Sequence, residues 1–409
     1  MNIRRLQLKS DLERILMLWQ EVGWISPDKK SALKLLFESG DGYGAEMDSE
    51  LEATLLSLPA DINYNNKLLS LQALSGLVVS PRARRRGIAG RLMTRALEEG
   101  VRSGQALSAL VMFEQGFYDS LGFGLGGYKH IFTFDPDLLE VDADPEPPER
   151  LTAEDWQSVY QALQERKRAN GGVNIKNPHF IKAEMEWDKN DDYGLGYRDE
   201  EGDISHFVWL WRKGDSHGPL QVKFLAYQTQ EQLLELLAVI ARLGDQVHAV
   251  RMDEPHSIKL RDFIVYPHKQ ARITAESKYS YASTVQAPWQ LKILDLEKCV
   301  SAFDLAGIDL EFNLELHDPL AEYADSESPA VISGEYSLKL GEESCLKSEP
   351  VKRLPTLTAS INAFTRMYLG AATPTELKTS SLFSAPPELL QDLEETFVQL
   401  PEPQLEMYF

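Results

Sequence analysis

A basic, glycine-containing segment that joins an apolar run to an amphipathic pattern constrains the fold of this chain more than any other feature. The apolar run ends at Leu77-Val78-Val79, the segment continues as Ser80-Pro81-Arg82-Ala83-Arg84-Arg85-Arg86-Gly87, and an amphipathic pattern begins at Ile88-Ala89-Gly90. A strand, a basic loop and a helix N-terminus in this order form an anion cradle, because the loop N–H groups and the positive end of the helix dipole attract negative charge. Gly87 and Gly90 would allow the backbone to approach the anion closely. The segment therefore predicts a site for a pyrophosphate group.

Two other interpretations of this segment are a solvated basic turn that precedes a helix and a nucleic-acid-binding patch. The loop alone does not exclude the first. The second conflicts with the formal net charge of −21 and the pI of ≈ 4.9, since an acidic protein repels polyanions and a nucleic-acid binder needs a broad basic face. A small polyanionic cofactor fits one local basic loop better, and we expect no nucleic-acid partner.

The spacing Arg84-x-x-Gly87-x-Ala89 resembles the acyl-CoA pyrophosphate loop of the GNAT acetyltransferases. Downstream, Glu114-Gln115-Gly116 is followed by Phe117-Tyr118-Asp119-Ser120-Leu121-Gly122-Phe123, which matches the Phe-Tyr-x-x-x-Gly-Phe segment that these enzymes carry at the same point of the chain. The resemblance implies acetyl-CoA as the cosubstrate, with residues 77–79, residues 84–90 and Glu114 as its contacts. It also implies that the Tyr118 hydroxyl points at the CoA sulfur, where a phenol can protonate the leaving thiolate. Without the basic loop, Tyr118 would be interpreted as an ordinary half-buried aromatic residue.

Other motifs in the sequence give no competing site. Gly122-Phe123-Gly124-Leu125-Gly126-Gly127 resembles a dinucleotide fingerprint, but it follows a predicted short helix rather than a strand. The eight histidines are scattered, and Cys299 and Cys345 have no partner at metal-ligand spacing, so we expect no metal. A content of only two cysteines is typical of a protein of the reducing cytoplasm, and the charged residues at the beginning of the sequence are consistent with that location. No apolar stretch approaches the ~20 residues that span a bilayer, so we expect no membrane partner.

The predicted order of strands and helices indicates an α/β chain with three domains. Residues 1–140 follow the order of a GNAT fold, a mixed sheet with helices on both faces, whose last strand is predicted at residues 131–134. The fourth and fifth strands of that fold splay apart and leave the thioester cleft. Residues 141–150 read as an acidic, proline-rich linker. Residues 151–288 repeat the order, which predicts a second copy of the fold, although an α/β domain of unrelated topology also fits this pattern.

The strand-to-helix junction of the predicted second copy lacks the features of the basic loop. It reads Leu225-Ala226-Tyr227-Gln228-Thr229-Gln230-Glu231-Gln232, with no arginine and no glycine. Thr229-x-x-Gln232 is a capping box, in which side chains of the helix occupy its own first N–H groups. Glu231 would repel a pyrophosphate. We therefore expect the second copy to bind no CoA and to act as a scaffold or pocket wall.

Residues 289–409 predict a third α/β domain, and the chain ends in the three large apolar residues Met407-Tyr408-Phe409, which predicts a docked terminus. Two GNAT-like units, only one of them with a CoA loop, followed by this domain resemble the Eis (enhanced intracellular survival) family of acetyltransferases. The resemblance implies a third domain similar to the sterol carrier protein fold and a homo-oligomer, namely a hexamer. It further implies that the terminal carboxylate, here that of Phe409, returns to the first active site as the general base, and that Trp24 and Tyr408 lie in the substrate pocket.

The sequence thus predicts an acetyl-CoA-dependent N-acetyltransferase that acts on a primary amine of a cationic small molecule, similar to an aminoglycoside or polyamine, or on lysine. The overall acidity favours a cationic acceptor through electrostatic steering. Members of the family that acetylate aminoglycosides carry an acid just before the terminal residue, whereas this chain has Tyr408 there and Glu406 nearby. An alternative function is a non-catalytic lipid- or partner-binding protein with a vestigial acetyltransferase site.

Overall fold

The computed structural model of the chain describes residues 1–188, 191–212, 219–265, 281–325 and 327–409. The intervening parts of the predicted second copy, and Ser326, lie outside the described residues. The described residues form three β-sheets with helices packed on them. Across these ranges, no helix combines the length and the apolar character that crossing a bilayer requires.

The helices and strands follow one another in three groups along the chain. The first group is β1 (Asn2–Arg5), α1 (Leu8–Glu21), α2 (Lys30–Glu38), β2 (Asp41–Met47), β3 (Glu50–Tyr64), β4 (Lys67–Val79), α3 (Ile88–Arg102), β5 (Leu107–Val111), α4 (Gln115–Asp119), β6 (Gly124–Leu125) and β7 (Lys129–Phe134). The second group is β8 (Glu149–Leu151), α5 (Trp156–Glu165), β9 (Val173–Ile175), α6 (His179–Trp187), β10 (Asp192–Arg198), β11 (Ile204–Arg212), β12 (Leu220–Ala226), α7 (Gln230–Ala241), β13 (Val250–Asp253) and β14 (Ala282–Gln286). The third group is β15 (Trp289–Ile293), α8 (Leu296–Ala302), β16 (Asp309–His317), β17 (Gly334–Gly341), β18 (Cys345–Lys347), β19 (Thr356–Ser360), α9 (Ile361–Tyr368), α10 (Pro374–Thr379), β20 (Phe383–Ser384) and α11 (Pro387–Phe397).

The first two sheets share one strand order. The first sheet runs β1-β2-β3-β4-β5-β15-β6, and β9 also pairs with β3. The second sheet runs β8-β10-β11-β12-β13-β7-β14. Position for position, the second sheet repeats the first, which confirms the predicted second copy of the fold. The third sheet runs β18-β17-β16-β19-β20 and belongs to the C-terminal part of the chain.

The predicted layout is wrong in one respect, because two strands exchange sheets. β7, predicted as the last strand of the first copy, pairs with β13 and β14 in the second sheet, where Phe132 lies opposite Met252. β15, predicted to open the third domain, pairs with β5 and β6 in the first sheet, where Leu291 lies opposite Ala109. Each strand fills the place beside the fifth strand of the other copy. The sequence pattern could not reveal this exchange, because β-propensity reports a half-buried, pleated surface and not a pairing partner.

The first sheet opens where β4 and β5 part. The two strands pair in parallel from Leu71 opposite Leu107 to Leu74 opposite Leu110, after which β4 continues to its end paired only with β3. Gly76, in the left-handed conformation with φ +63°, lies at an irregularity in the pairing of β3 with β4. A Cβ atom at Gly76 would lie 2.7 Å from the Trp19 ring, so only glycine fits against this indole. The predicted splay of the fourth and fifth strands is therefore present in the first sheet.

The C-terminal part of the chain supports the first sheet through a buried ion pair. Lys292 of β15 and Asp318 are both fully buried, and the Lys292 Nζ lies 2.7 Å from each oxygen of the Asp318 carboxylate. The backbone N–H groups of Leu320 and Ile332 donate to the same carboxylate. A buried pair whose hydrogen bonds are satisfied holds its segments in one arrangement. Leu320 thereby joins the apolar cluster that contains Tyr118.

Candidate active site

The basic segment forms an open helix N-terminus. A turn of 3₁₀ helix spans Pro81–Ala83, and α3 begins at Ile88. Arg85 has φ +59°, and Gly87, the N-cap residue of α3, has φ +72°. Gly87 provides no side-chain acceptor for the first N–H groups of α3, so these groups remain available to an anion. A Cβ atom at Gly87 would meet no atom within 4 Å, so the position needs glycine for its conformation rather than for space.

Three arginines of the segment are available to a polyanion. Arg82 is already paired with the carboxylates of Asp48 and Glu52. The other three arginines are exposed, and no carboxylate in the described part of the chain forms an ion pair with them: Arg84, Arg85 and Arg86. The cradle thus combines uncapped N–H groups with exposed guanidinium groups that no carboxylate of the described residues neutralises, which fits the charge of a diphosphate.

Two predicted cofactor contacts have other partners in the structure. A Cβ atom at Gly90 would lie 2.9 Å from the ring of Tyr323, so the absence of a side chain allows α3 to pack against the C-terminal part of the chain, while the Gly90 N–H remains among the first N–H groups of α3. The Glu114 carboxylate is the N-cap of α4 and accepts hydrogen bonds from the N–H groups of Gly116 at 3.1 Å and Phe117 at 2.6 Å. Both residues therefore shape the walls of the site by fixing α3 and α4.

A cavity of about 200 Å³ lies where β4 and β5 part, and it brings together residues from distant parts of the chain. Tyr118 from α4 and the C-terminal residue Phe409 both line it, as do Leu77 and Trp24. The remaining lining residues are Leu55, Leu74, Ser75, Gly76, Met93, Leu110, Val111 and Phe113. The predicted acid and the predicted base therefore share one cavity at the edge of the open strand β4.

Other predicted residues lie outside the lining of this cavity. Val78 and Val79 end β4 beside it, between the lining residue Leu77 and the basic loop. Tyr408 was expected in the substrate pocket, but its ring lies 4.1 Å from the Lys129 ammonium group. Burial raises the pKa of Tyr408 to about 12. The attraction between a buried ammonium group and an aromatic face holds Tyr408 on the second copy, away from the cavity.

The environment of Tyr118 sets its protonation state. The residue is 3% exposed, and its ring packs edge-on against Phe113, Phe117 and Phe123. Burial raises the pKa of Tyr118 above its usual value, and the nearby negative charge of Glu114 raises it further. The hydroxyl therefore stays protonated at neutral pH and can donate a proton but not accept one.

A second cleft lies in the second copy at the equivalent place. β12 and β13 pair only at Leu220 with Val250 and at Gln221 with Arg251, and the strands then part. The cavity between and beyond them has a volume of about 70 Å³, and residues 404–406 of the C-terminal tail form part of its lining. In this cleft the carboxylate of Glu406 lies 3.0 Å from the His256 Nδ1. The tail thus passes through the second cleft before its last residue reaches the first.

The helix that follows the second cleft has no free N-terminus. At the start of α7, the Thr229 hydroxyl accepts the N–H of Gln232 at 3.3 Å, and the Gln232 side chain accepts the N–H of Thr229 at 3.2 Å. The predicted capping box is confirmed. These side chains occupy the groups that would otherwise bind an anion.

The sequence analysis did not nominate Phe113 and left the place of Glu406 open. Phe113 lines the first cavity although 68% of it is exposed, and its ring meets Trp24 at 6.1 Å. In the sequence, Phe113 could have been noticed as a large aromatic residue two positions after the last residue of a buried strand. Glu406 lies in the second cleft, and its signal was a carboxylate between two buried apolar residues of the tail, Leu405 and Met407.

Comparison with known protein families identifies the two ends of the chain. Residues 2–126 match the acetyltransferase (GNAT) domain, and residues 296–406 match the sterol carrier protein domain. No curated protein matches the chain. The chain therefore carries a GNAT acetyltransferase domain followed, at its C-terminus, by a sterol carrier protein domain.

Several solved structures share the fold over the whole chain. A GCN5-related N-acetyltransferase from Anabaena variabilis has 15% identity and a TM-score of 0.81, with 100% of both chains covered. A probable N-acyltransferase from Enterococcus faecalis has 16% identity and a TM-score of 0.79, with 100% of this chain and 99% of that chain covered. Eis1 from Mycobacterium abscessus has 19% identity and a TM-score of 0.78, with 100% of both chains covered. With the two domain matches, these likenesses of fold confirm the predicted resemblance to an Eis-like acetyltransferase.

Proposed function

We propose that this chain, an Eis-like protein with a GNAT acetyltransferase domain and a sterol carrier protein domain, transfers the acetyl group of acetyl-CoA to a primary amine. The observation that carries the proposal is the meeting of Tyr118 and the terminal residue Phe409 in one cavity beside an open helix N-terminus. The proposed chemistry needs a proton donor, a proton acceptor and a cofactor site together, and this region offers groups suited to each.

The cofactor is held by the basic segment and the open strand. The N–H groups at the start of α3 and the side chains of Arg84, Arg85 and Arg86 bind the diphosphate. The unpaired edge of β4 at Val78 and Val79 binds the pantetheine arm as a further strand would, since β4 continues beyond its pairing with β5. A backbone N–H near Val79 stabilises the oxyanion of the attacked thioester.

Two groups move the protons: the terminal carboxylate of Phe409 and the hydroxyl of Tyr118. The amine nitrogen forms its bond to the acetyl carbon, the carbon–sulfur bond to CoA breaks, and the amine proton passes to the carboxylate of Phe409. Tyr118 donates its proton to the departing thiolate, a role that suits a hydroxyl kept protonated by burial.

The walls of the cavity favour an amine carried by an apolar or aromatic group. Among the lining residues, the ionisable groups are the Tyr118 hydroxyl and the terminal carboxylate of Phe409. The mouth is aromatic, since Trp24 and Phe113 are exposed and in edge-to-face contact. A polycation such as an aminoglycoside or a polyamine needs several carboxylates, whereas a single amine needs one. The proposed acceptor is therefore a primary monoamine, or the side chain of a lysine with apolar neighbours.

A panel of amines tests the proposal by the release of CoA from acetyl-CoA. The panel holds 2-phenylethylamine, an α-blocked lysine, spermidine and an aminoglycoside, each with the wild type and with the Arg84→Glu variant. We expect kcat/KM for 2-phenylethylamine to exceed that for spermidine by about tenfold or more, the discrimination that a few apolar contacts provide. Faster turnover of spermidine or the aminoglycoside would overturn the acceptor class. No turnover of any amine, with no calorimetric binding of acetyl-CoA at millimolar concentration, would favour the non-catalytic alternative.

We also propose that the protein is cytoplasmic and that it forms a homo-oligomer. Light scattering of the purified protein measures the assembly directly, and a mass of six chains is the value that the resemblance implies.

A further inference from the structure

The C-terminal tail is tied to the second copy at several points. Asn170 donates from its side-chain amide to the carbonyl of Pro401 at 2.6 Å, and its own carbonyl accepts the N–H of Gln404 at 2.7 Å. The exposed carboxylate of Glu402 accepts the N–H of Tyr128 at 2.8 Å. The tail therefore follows a defined path across the second copy before it turns to the first cavity.

Glu406 makes the densest set of polar contacts along this path. Its Oε1 accepts the N–H of Ala169 at 3.1 Å and lies 3.0 Å from the His256 Nδ1. Its Oε2 lies 3.4 Å from a guanidinium nitrogen of Arg166. Arg166 is itself buried and donates to the carbonyl of Val173 at 3.0 Å, so the partner of Glu406 has a fixed position.

The charge of Glu406 is maintained in the cleft. Burial acts to raise the pKa of Glu406, but the hydrogen bond from His256 and the charges of Arg166 and His256 outweigh it, and the pKa lies below its usual value. The carboxylate is therefore ionised at neutral pH. An ionised, buried carboxylate is costly to separate from its partners.

The contacts of Glu406 fix the register of the last residues. Leu405 and Met407, on either side of it, are buried. Three residues of chain span at most about 10 Å, so the position of Phe409 is restricted once Glu406 is held. We propose that Glu406 is a positioning residue for acetyl transfer, and that its attachment in the second cleft sets where the terminal carboxylate lies in the first. This inference rests on the proposed role of Phe409 as the base.

Kinetics of matched tail variants test the inference. The variants are Glu406→Ala, Glu406→Gln, which keeps the shape and an acceptor for Ala169, and Glu402→Ala as the control for an exposed tail carboxylate. We expect Glu406→Ala to lower kcat by about 10- to 100-fold, the cost of misplacing a reacting group by about 1 Å. The KM and calorimetric affinity for acetyl-CoA stay at the wild-type values. Glu406→Gln falls between, and Glu402→Ala, which removes a single exposed hydrogen bond of the tail, stays close to the wild type. An unchanged kcat in Glu406→Ala, or an equal loss in Glu402→Ala, would contradict the inference.

Release of the terminal residue by a carboxypeptidase tests the attachment without any acetyl transfer. We expect Phe409 to be released faster from Glu406→Ala than from the wild type or Glu402→Ala. Equal release rates from all three proteins would overturn the attachment. If deletion of Phe409 leaves kcat unchanged, the proposed base is wrong, but the release rates still decide whether Glu406 holds the tail.

Discussion

The two copies of the fold have the same strand order, and each has a cleft where its fourth and fifth strands part. The two clefts differ in what they hold. In the first copy, the helix after the fourth strand has Gly87 as its N-cap, without a side-chain cap, and follows three arginines that form no ion pair within the described residues. In the second copy, the equivalent helix has Thr229 as its N-cap and a complete capping box. The first cleft holds aromatic walls and the terminal residue, whereas the tail carboxylate of Glu406 occupies the second. The sheet therefore provides the cleft, and a few residues at the start of the following helix determine what can bind there.

The largest effect should come from the proton-transfer groups of the first cleft. Tyr118→Phe and deletion of Phe409 should each lower kcat by about 10²- to 10⁴-fold, the usual contribution of a general acid or base. Tyr227→Phe removes a hydroxyl from the second cleft, where it bonds Ser257, and should leave kcat near the wild-type value. Steady-state kinetics with a saturating amine measure all three. Similar losses in Tyr118→Phe and Tyr227→Phe would remove the distinction between the clefts.

The next effect concerns the affinity for acetyl-CoA. Arg84→Gln should weaken binding by about tenfold or more, since a hydrogen bond to a charged group contributes about 1.5–3 kcal/mol. Arg82→Gln is the matched control, because Arg82 is already paired with Asp48 and Glu52 and should change the affinity little. Isothermal titration calorimetry measures both Kd values. Equal weakening by the two substitutions would show that general positive charge, and not the free arginines, binds the cofactor.

Gly90 is a further difference between the two copies, because the strand-to-helix junction of the second copy has no glycine. Gly90→Ala should destabilise the protein by about 1–3 kcal/mol, as overpacking does, because the new Cβ would press on the Tyr323 ring. Tyr323→Ala in the same chain should recover part of this loss, which urea denaturation measures. Loss of acetyl-CoA affinity without loss of stability in Gly90→Ala would instead favour the predicted contact with the ligand.

The smallest effect is the pH dependence of tail attachment. In the folded protein, the pKa of Glu406 lies below its ordinary value of 4.5. The pairing of the ionised carboxylate therefore stabilises the docked tail above pH 4.5, and this stabilisation is lost as the pH falls through the lowered pKa. Release of Phe409 by an acid-tolerant carboxypeptidase should therefore accelerate toward low pH in the wild type. The same acceleration in Glu406→Gln would assign the pH dependence to another group.

Local patterns predicted the parts of this molecule that local chemistry determines. The amphipathic pattern that begins at Ile88 predicted a helix after the basic segment, and α3 starts at that residue. Thr229 and Gln232 predicted the capping box because a cap involves residues only three apart. The resemblance to a known family predicted that the last residue belongs with Tyr118, which no spacing within the sequence could indicate.

The remaining features depend on contacts between distant parts of the chain. The exchange of β7 and β15 is a choice between two similar sheets, and their apolar patterns are compatible with either. The contact between Tyr408 and Lys129 could not be predicted, because the two residues lie far apart in the sequence. The same holds for Gly90 and its neighbour Tyr323, which comes from the C-terminal part of the chain.

A crystal structure with CoA bound would show the cofactor, Tyr118 and the tail together. We expect one CoA per chain, with its diphosphate on the N–H groups at the start of α3 beside Arg84, its thiol near Tyr118, and the Phe409 carboxylate in the same cavity while Glu406 stays on Arg166. A diphosphate bound in the second cleft, or a terminal carboxylate that points away from the thiol, would contradict this expectation.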